Sequence, residues 1–336
     1  MDIKDAISRI VDREDLSRAD MEAAMRQIMT GNATPTQIGG FLAGLRTKGE
    51  TVDEITAAAT VMRELALRVT VSVEHLVDTC GTGGDGKSLF NVSTASTFVV
   101  AAAGGHVAKH GNRAMSGCSG SADVLEALGV RLDLPPERIA DCIRRIGLGF
   151  MFAPAHHAAA RYAAGPRKEL GTRTLFNLLG PLTNPAAAPN QLLGVFAQRW
   201  IEPLAKVLRA LGSEHVLVVH SHDGLDELSI AAPTWVAELQ AGQVRSYSVQ
   251  PEDFGIPRQS IDALRVTSAA QSLELIRAAL SGRPGPASDM VALNAGAAIY
   301  AAGVSETLVN GVNKARETLV SGAAMRKLEQ LVEATR

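Results

Sequence analysis

Residues 76–94 read LVDTCGTGGDGKSLFNVST, and this stretch decides the fold. A short apolar run, Leu76-Val77, leads into four glycines within six residues, and the apolar, helix-like stretch 92–103 follows. Gly104-Gly105 and a second apolar run, 106–108, come next. A strand, a helix and a second strand in this order form a βαβ unit, whose strands are parallel. The stretch therefore predicts a parallel sheet with a glycine loop between its first strand and the following helix.

The residues before this unit predict a small helical lobe. Residues 17–30 repeat apolar side chains at helical spacing, and Gly31 follows where a C′ glycine belongs. Thr34-Pro35 is typical of a capped helix start with a first-turn proline, and Gly49 ends that helix. Thr51-Val-Asp-Glu54 matches a capping box at the start of another helix.

The residues after the unit alternate between strand and helix patterns. Residues 216–220 read as a buried strand, and helical periodicity occupies 271–280 and 304–333. Between the βαβ unit and that strand, Gly180-Pro181 and Asn184-Pro185 mark a bent connection. We interpret this connection as a hinge between two lobes.

Composition and charge exclude several classes of function. The 336 residues are 46% hydrophobic and 20% charged, which is ordinary for a soluble globular protein. Aromatic residues make up only 4% and the net charge is −2, so neither a stacking platform nor a basic surface for nucleic acid is indicated. The three cysteines do not have the spacing typical of metal ligands. We find no signal-peptide pattern and no apolar run long enough to span a membrane. We therefore expect a cytoplasmic protein that binds neither membranes nor nucleic acid.

The glycine loop also fits two generic nucleotide motifs, which its context disfavours. Gly81-x-Gly83-x-x-Gly86 matches the dinucleotide fingerprint, but Lys109 and His110 stand near the place where that motif needs an acid. The P-loop expression matches through Lys87-Ser88, yet a new Asn/Ser/Thr helix start follows only after Leu89 and Phe90. We therefore interpret the loop as a phosphate site of another kind, in which glycines let backbone amides approach an anion.

A second polar loop, residues 109–121, follows the second strand and precedes another helix start at 123–125. It contains three glycines, three serines, two cations and an asparagine. The carboxyl ends of parallel strands meet at one edge of a sheet, so the two loops together predict a composite anion site.

Three acids, Asp223, Asp226 and Glu227, follow the apolar strand 216–220. Mg²⁺ in proteins is often held by one or two carboxylates together with substrate phosphates. The same spacing also fits a solvated acidic turn with its corner at Asp223-Gly224, and both interpretations stay open from the residues alone.

The pair His156-His157 and Arg167 lie just before the suspected hinge. A histidine pair without a third ligand is more often structural than metal-binding. Arg167 could hold a carboxylate with two hydrogen bonds or be a surface charge, and spacing does not separate these alternatives.

Along nearly its whole length the chain resembles the anthranilate phosphoribosyltransferase family. The resemblance rests on five motifs in order: GTGGDG at 81–86, NVST at 91–94, KHGNR at 109–113, RTLFNLLGPLTNP at 173–185 and DGLDE at 223–227. It implies an α/β fold in which a small helical domain is hinged to a larger α/β domain with a mostly parallel central sheet. We expect the helical domain over 1–70 with a returning segment near 165–190, and the large domain over 71–164 and 191–336. The resemblance also implies a homodimer formed through the helical part.

By the same resemblance, the chain transfers the phosphoribosyl group of phosphoribosyl diphosphate to the amine of anthranilate in tryptophan biosynthesis, with Mg²⁺ as cofactor. The implied phosphoribosyl diphosphate ligands are Gly81, Gly84, Asp85, Leu89, Asn91, Val92, Ser93, Thr94, Lys109, His110, Gly111, Asn112, Arg113, Ala114, Met115, Ser116, Gly117 and Ser121. The implied anthranilate ligands are Gly81, His110, Asn112, His157 and Arg167, and the implied metal ligands are Ser93, Asp226 and Glu227. The chain departs from the family pattern at Ala158, often Pro, and at Cys118, often Lys.

We expect direct displacement of diphosphate by the neutral amine, without a covalent intermediate or a nucleophilic side chain, so that Cys118→Ser stays active. Two other functions on this fold are alternatives. A nucleoside phosphorylase would carry a different first loop, of the Lys-His-Ser-Thr-Gly-Gly type. A noncatalytic nucleic-acid-binding relative is disfavoured by Asp226, Glu227, Arg167 and the net charge of −2.

Overall fold

A computed structural model describes residues 1–114 and 119–336. The chain begins with four helices, α1 (Ile3–Val11), α2 (Arg18–Met29), α3 (Pro35–Lys48) and α4 (Val52–Glu64). Thr34 and Thr51 each cap a helix in a capping box, as the sequence predicted. Gly31 and Gly49 follow α2 and α3 with φ of 80° and 94°, a backbone conformation in which a side chain would be strained.

The central sheet has seven strands in the order β3-β2-β1-β4-β5-β6-β7. The first five in this order are parallel, whereas β6 and β7 extend the sheet antiparallel. This confirms the predicted mostly parallel sheet. The strands are β1 (Leu76–Gly81), β2 (His106–Gly111), β3 (Leu148–Phe152), β4 (Asn190–Gly194), β5 (His215–Ser221), β6 (Thr234–Gln240) and β7 (Gln243–Val249).

Helices cover both faces of the sheet. The single helical region expected over 304–333 is two helices separated by Gly322, whose φ is 68°. The helices are α5 (Val92–Ala102), α6 (Ser121–Ala127), α7 (Pro136–Ile146), α8 (Ala153–His156), α9 (Arg161–Leu170), α10 (Phe176–Leu179), α11 (Ile201–Ala210), α12 (Ala269–Leu280), α13 (Pro286–Ala301), α14 (Leu308–Val320) and α15 (Ala323–Ala334). Among the described residues, no helix is long and apolar enough to cross a membrane.

The glycine loop meets its helix later than a P-loop would. The helix α5 begins at Val92, not at Lys87-Ser88. Leu89 forms an isolated β-bridge with Arg265, and Phe90 is buried. The intervening turn supports the rejection of the P-loop interpretation.

A segment after α8 returns to the helical lobe. Side chains from Ala163 to Leu182 share one hydrophobic cluster with α1–α4 and with one face of the sheet, including Leu193 and Val216. The suspected hinge is well packed: Asn184 is buried and donates hydrogen bonds from Nδ2 to Asp78 Oδ2 and to the Ala108 carbonyl, both at 2.8 Å. The exact domain boundaries and the hinge motion stay predictions.

A buried carboxylate fastens the antiparallel end of the sheet. Glu238 on β6 is fully buried and accepts hydrogen bonds from His215, Arg245, Tyr247 and Tyr300, at 2.8–3.1 Å. Burial alone would raise the pKa of Glu238, but these donors outweigh it and lower the pKa to about 2. The charged carboxylate therefore stabilises the fold in a region that does not line the cleft described next.

Candidate active site

A cleft of about 800 Å³ opens at the carboxyl edge of the parallel strands. Its other wall is formed by residues 153–183, which include the segment that returns to the helical lobe. Every implied site residue that the structure describes lines this cleft, except Thr94. Thr94 is fully buried in α5, so its assignment as a direct ligand has no support from the geometry. Met115, Ser116, Gly117 and Cys118 lie outside the described residues.

The glycine loop is held in a conformation that suits only glycine at several positions. Gly83, Gly84 and Gly86 have φ of 64°, 75° and 74°. The Thr82 amide donates to the Gly194 carbonyl at 2.9 Å, and the Phe196 amide donates to Thr82 Oγ1 at 3.0 Å. These bonds anchor the start of the loop to β4, and the positive φ values allow glycine amides of the loop to turn towards an anion.

Asp226 and Glu227 stand at the floor of the cleft. The Asp226 carboxylate accepts a hydrogen bond from the Gly83 amide at 2.8 Å, which ties it to the glycine loop. Removal from bulk water, together with the neighbouring Asp85, raises the pKa of Asp226, and burial beside Asp226 raises that of Glu227. Concentrated negative charge with few internal donors favours a bound cation.

The third acid of this segment has a different role. Asp223 accepts hydrogen bonds from the hydroxyls of Ser221 and Ser229, the second at 2.7 Å. It stabilises the turn at Gly224, whose φ is 87°. The acidic-turn interpretation therefore holds for Asp223, whereas Asp226 and Glu227 line the cleft.

Lys109 brings a buried positive charge to the same floor. It is 2% exposed, and its Nζ donates to the Thr79 carbonyl at 2.5 Å and to Ser93 Oγ at 3.4 Å. Burial lowers the pKa of Lys109, while the buried carboxylate of Asp78 acts in the opposite direction. Asp78 also accepts the His110 amide at 3.3 Å and thereby fixes the backbone that carries both cleft residues.

The described ends of the second loop are tied together by one carboxylate. Asp123 Oδ2 accepts the amides of Ala114 and Gly120, at 3.0 and 2.8 Å. The Arg113 guanidinium pairs with Asp123 and Glu126, at 3.2 and 2.8 Å. Its charge is therefore already neutralised, and a direct ionic contact of Arg113 with a phosphate would require these pairs to break.

Asn91 at the start of α5 connects the second loop to a distant helix. Its Oδ1 accepts the hydroxyls of Ser119 and Ser272, at 2.8 and 2.7 Å, and its Nδ2 donates to the Ser119 carbonyl at 3.1 Å. In this structure the side chain caps no backbone amide of α5. Asn91 therefore fixes one side of the cleft entrance.

The far end of the cleft is aromatic, and the residues described there include no acid. The imidazole rings of His110 and His157 meet edge to face, with centroids 5.1 Å apart, and each Nε2 is buried without a hydrogen-bond partner. Burial lowers the pKa of His110 to about 3 and that of His157 to about 4, so both rings are neutral at pH 7. His156 is different, because its Nδ1 lies 2.6 Å from the Leu67 carbonyl.

Arg167 on α9 supplies the positive charge at this end. Its guanidinium lies over the Phe176 ring, 5.0 Å from the centroid, and burial lowers the pKa of Arg167. Within the described part of the chain, no carboxylate forms an ion pair with Arg167. A half-buried arginine beside an aromatic ring suits a planar carboxylate ligand.

Two features of the site were not foreseen from sequence patterns. The Arg173 guanidinium donates a hydrogen bond to the Gly84 carbonyl in the glycine loop. Asp78 and Asn184, buried behind the floor, join β1 to the hinge segment. Neither has a local signal, because the partners lie 89 and 106 residues apart in sequence.

The donor set fits a cation that shares its ligands with a substrate. Among the described residues, no cluster of three or more His, Cys, Asp or Glu side chains could hold a metal ion by itself. Asp226 and Glu227 with Ser93 Oγ supply only a few hard oxygen ligands. Mg²⁺ characteristically completes such a set with water and phosphate oxygens.

The comparisons with known proteins agree with this architecture. Residues 4–66 match the helical bundle domain of a glycosyl transferase family, and residues 73–325 match the a/b domain of that family. An anthranilate phosphoribosyltransferase from Marinomonas sp. (strain MWYL1) is 62% identical, with 100% of this chain and 98% of the relative covered. One from Thioalkalivibrio sulfidiphilus is also 62% identical, over 100% and 99% of the two chains.

Solved structures of anthranilate phosphoribosyltransferases superpose on nearly the whole chain. The anthranilate phosphoribosyltransferase of Thermus thermophilus superposes with a TM-score of 0.94 at 45% identity, over 99% of both chains. The enzyme of Saccharomyces cerevisiae in complex with PRPP and Mg superposes with a TM-score of 0.89 at 25% identity, over 99% of this chain and 97% of the other. With its two-domain fold and its cleft of glycine loop, acidic pair and unpaired arginine, this chain belongs to the anthranilate phosphoribosyltransferase family.

Proposed function

We propose that the chain transfers the phosphoribosyl group of phosphoribosyl diphosphate to the amine of anthranilate, which yields N-(5-phosphoribosyl)anthranilate and diphosphate in tryptophan biosynthesis. The observation that carries the proposal is one cleft with two chemically distinct ends. One end combines glycine amides, Lys109 and two buried carboxylates, and the other combines neutral histidines with the unpaired Arg167. A polyanion with a metal suits the first end, and an aromatic carboxylate suits the second.

The anionic substrate would occupy the glycine-loop end. The Gly84 amide and the start of α5 offer hydrogen-bond donors to the diphosphate, and the helix dipole adds to their effect. Ser121 and the start of the second loop at Gly111 and Asn112 would contact the remaining oxygens, whereas the amides of Arg113 and Ala114 are bonded to Asn112 and Asp123 in this structure. The contribution of Lys109 to this end of the cleft is its buried ammonium group, which contacts Ser93 Oγ.

Ser93, Asp226 and Glu227 would hold Mg²⁺ together with the diphosphate. The similar enzyme of Saccharomyces cerevisiae has been solved in complex with PRPP and Mg. When bound, Mg²⁺ neutralises the charge that develops on departing diphosphate. The Gly83 amide orients Asp226, and the Lys109 charge partly opposes the rise in the pKa of Glu227, so that a bound cation would favour the ionised form of both carboxylates.

Anthranilate would bind at the aromatic end, with Arg167 on its carboxylate. The neutral His110 and His157 can each accept a hydrogen bond from the substrate amine at Nε2 without protonating it. Gly81 and Asn112 complete the contact surface between the two substrates.

The reaction requires orientation rather than a covalent intermediate. The aromatic amine is neutral at pH 7, so its lone pair can attack C1 while the bond to diphosphate breaks on the opposite face. The nitrogen then loses one proton to water or to the departing diphosphate, which gives the neutral secondary amine. Holding both substrates in line can lower the barrier by several kcal/mol, roughly 7 or more in favourable cases. Burial raises the pKa of the Cys80 thiol, which makes it a poor nucleophile and agrees with the absence of a covalent step.

A cytoplasmic homodimer is part of the same proposal. Val11 at the end of α1 is 66% exposed, and Tyr162 on α9, which packs on α2 and α3, is 37% exposed; these are apolar side chains of the helical part that an interface would bury. Sedimentation equilibrium measures the assembly directly, and a monomer at micromolar concentration would contradict it. No binding of nucleic acid is expected from a net charge of −2.

The proposed activity is tested by the loss of anthranilate fluorescence when purified protein is mixed with phosphoribosyl diphosphate and Mg²⁺. Decay that needs all three components and stops with a chelator supports the proposal. No decay at micromolar protein would refute it. Phosphorolysis of nucleosides in the same preparation would instead favour a nucleoside phosphorylase.

A further inference from the structure

Arg173 lies in the returning segment between α9 and α10 and contacts the glycine loop. Its Nη2 donates to the Gly84 carbonyl. Its guanidinium lies over the Phe196 ring, 4.3 Å from the centroid, and a Cβ on Gly84 would come within 3.5 Å of its Nε. Stacking and hydrogen bonding together set the guanidinium against the loop at one point.

The backbone of Arg173 is held from the other side by the helical lobe. Arg46, in the last turn of α3, donates a hydrogen bond from Nη1 to the Arg173 carbonyl. A continuous series of contacts therefore runs from α3 through Arg173 to Gly84. Since 127 residues separate Arg46 from Arg173, only the tertiary fold creates this series.

Within the described part of the chain, the other hydrogen bonds of the glycine loop are made to the α/β domain. Thr82 is bound to the end of β4, and Gly83 is bound to Asp226. At the far end, Arg265 donates to the Lys87 carbonyl at 2.9 Å, and the Val266 amide donates to the Ser88 carbonyl at 2.8 Å. Among the hydrogen bonds described, Gly84 is the point at which the loop is bonded to the returning segment.

We propose that Arg173 is a positioning residue that couples the placement of the helical lobe to the conformation of the glycine loop. When the lobes lie as in this structure, the Arg173 bond fixes the Gly84 carbonyl and thereby the conformation of the loop around Gly84. When Arg173 or its support from Arg46 is lost, Gly83 and Gly84 become free to sample other conformations, because glycine has a broad range of φ. The inference rests on the proposed function, since it assigns the loop to phosphoribosyl diphosphate.

The test compares Arg173→Ala, Arg173→Lys and Arg46→Ala with the wild type. Arg199→Ala is the matched control, because Arg199 lies over Trp200 at 5.5 Å in the segment after β4 and therefore also loses an arginine–aromatic contact. Two measurements are made on each: hydrogen exchange of a peptide spanning 82–88 in the free protein, and steady-state kinetics with each substrate varied.

We expect Arg173→Ala to speed exchange in the loop and to raise the KM for phosphoribosyl diphosphate about tenfold, or ~1.4 kcal/mol, with a smaller change in kcat. Arg173→Lys should restore part of the effect because it still supplies a donor. Arg46→Ala should change both measurements in the same direction, although it does not touch the loop. Arg199→Ala should match the wild type.

Unchanged loop exchange and unchanged KM in Arg173→Ala would overturn the proposal. So would an Arg46→Ala variant identical to the wild type, because the coupling to the helical lobe would then be absent. The exchange measurement needs no turnover, so an inactive wild type would refute the proposed function while loop exchange still decides the role of Arg173.

Discussion

Two paired glycines leave the space that Asp226 occupies at the edge of the sheet, and an alanine side chain at either position would displace Asp226. Gly81 and Gly194 are register partners at the ends of β1 and β4. A Cβ on Gly194 would lie 1.5 Å from the backbone oxygen of Asp226, and a Cβ on Gly81 would lie 2.5 Å from Asp226 Oδ2. Since real Cβ atoms essentially never come closer than 3.0 Å, Gly194→Ala requires the Asp226 backbone to retreat by about 1.5 Å.

This retreat is large for a site that works by positioning. A misplacement of about 1 Å can cost roughly 100-fold in rate. We expect Gly194→Ala to lower kcat/KM by at least ~100-fold and to raise the Mg²⁺ concentration for half-maximal activity. Gly81→Ala should lose less, because its Cβ meets only the end of a side chain that can rotate.

The assay is anthranilate fluorescence over a Mg²⁺ titration, with thermal denaturation of each variant in parallel. Overpacking of this kind also costs about 1–3 kcal/mol of stability, so a remote variant of reduced stability, Glu238→Gln, serves as control. A folded Gly194→Ala protein with kcat/KM within about fivefold of the wild type would refute the placement of Asp226.

Four further predictions follow from the same geometry. Glu238→Gln should reduce the free energy of unfolding by about 3 kcal/mol at pH 7, as measured by urea titration. Because the pKa of Glu238 is lowered to about 2, the difference in free energy of unfolding between wild type and variant should shrink as pH falls from about 4.5 towards 2. Arg167→Ala should raise the KM for anthranilate roughly 100-fold and leave the KM for phosphoribosyl diphosphate nearly unchanged, as initial rates with each substrate varied would report. Asp226→Ala or Glu227→Ala should lower turnover and change its Mg²⁺ dependence, and wild-type rates at low Mg²⁺ would contradict the metal assignment. Cys118→Ser should stay active, and a loss beyond about 100-fold in the fluorescence assay would contradict a mechanism without a covalent step.

The ionised Glu238 side chain contributes to the free energy of unfolding in a pH-dependent way. A carboxylate whose pKa is depressed in the folded state stabilises the protein above its unfolded pKa and loses that contribution as pH falls through the folded value. A constant difference between wild type and Glu238→Gln from pH 7 to pH 2 would therefore contradict the charged network at β6.

The sequence by itself determined the features whose cause is local. Thr34 and Thr51 cap their helices through side chains three residues away, so both starts could be predicted. The strand–loop–helix order around Gly81 implied a parallel sheet and a phosphate loop, because glycines in such a loop have few other uses. The motifs then identified the family, and with it the residues that the structure brings to one cleft.

Only the tertiary structure decided the features that depend on distant partners. The helix α13 is buried along almost its whole length, so it carries no amphipathic period, and sequence reasoning did not single it out. The choice between turn and ligand for Asp223 and Asp226 depended on which carboxylate meets the Gly83 amide, 143 residues from Asp226. The contact of Arg173 with Gly84 likewise joins segments whose proximity leaves no periodic or local trace. Local hydrogen bonds and hydrophobic periodicity depend on residues close together in sequence and can be predicted from it. Contacts between distant segments form only when the sheet and the returning helices pack together.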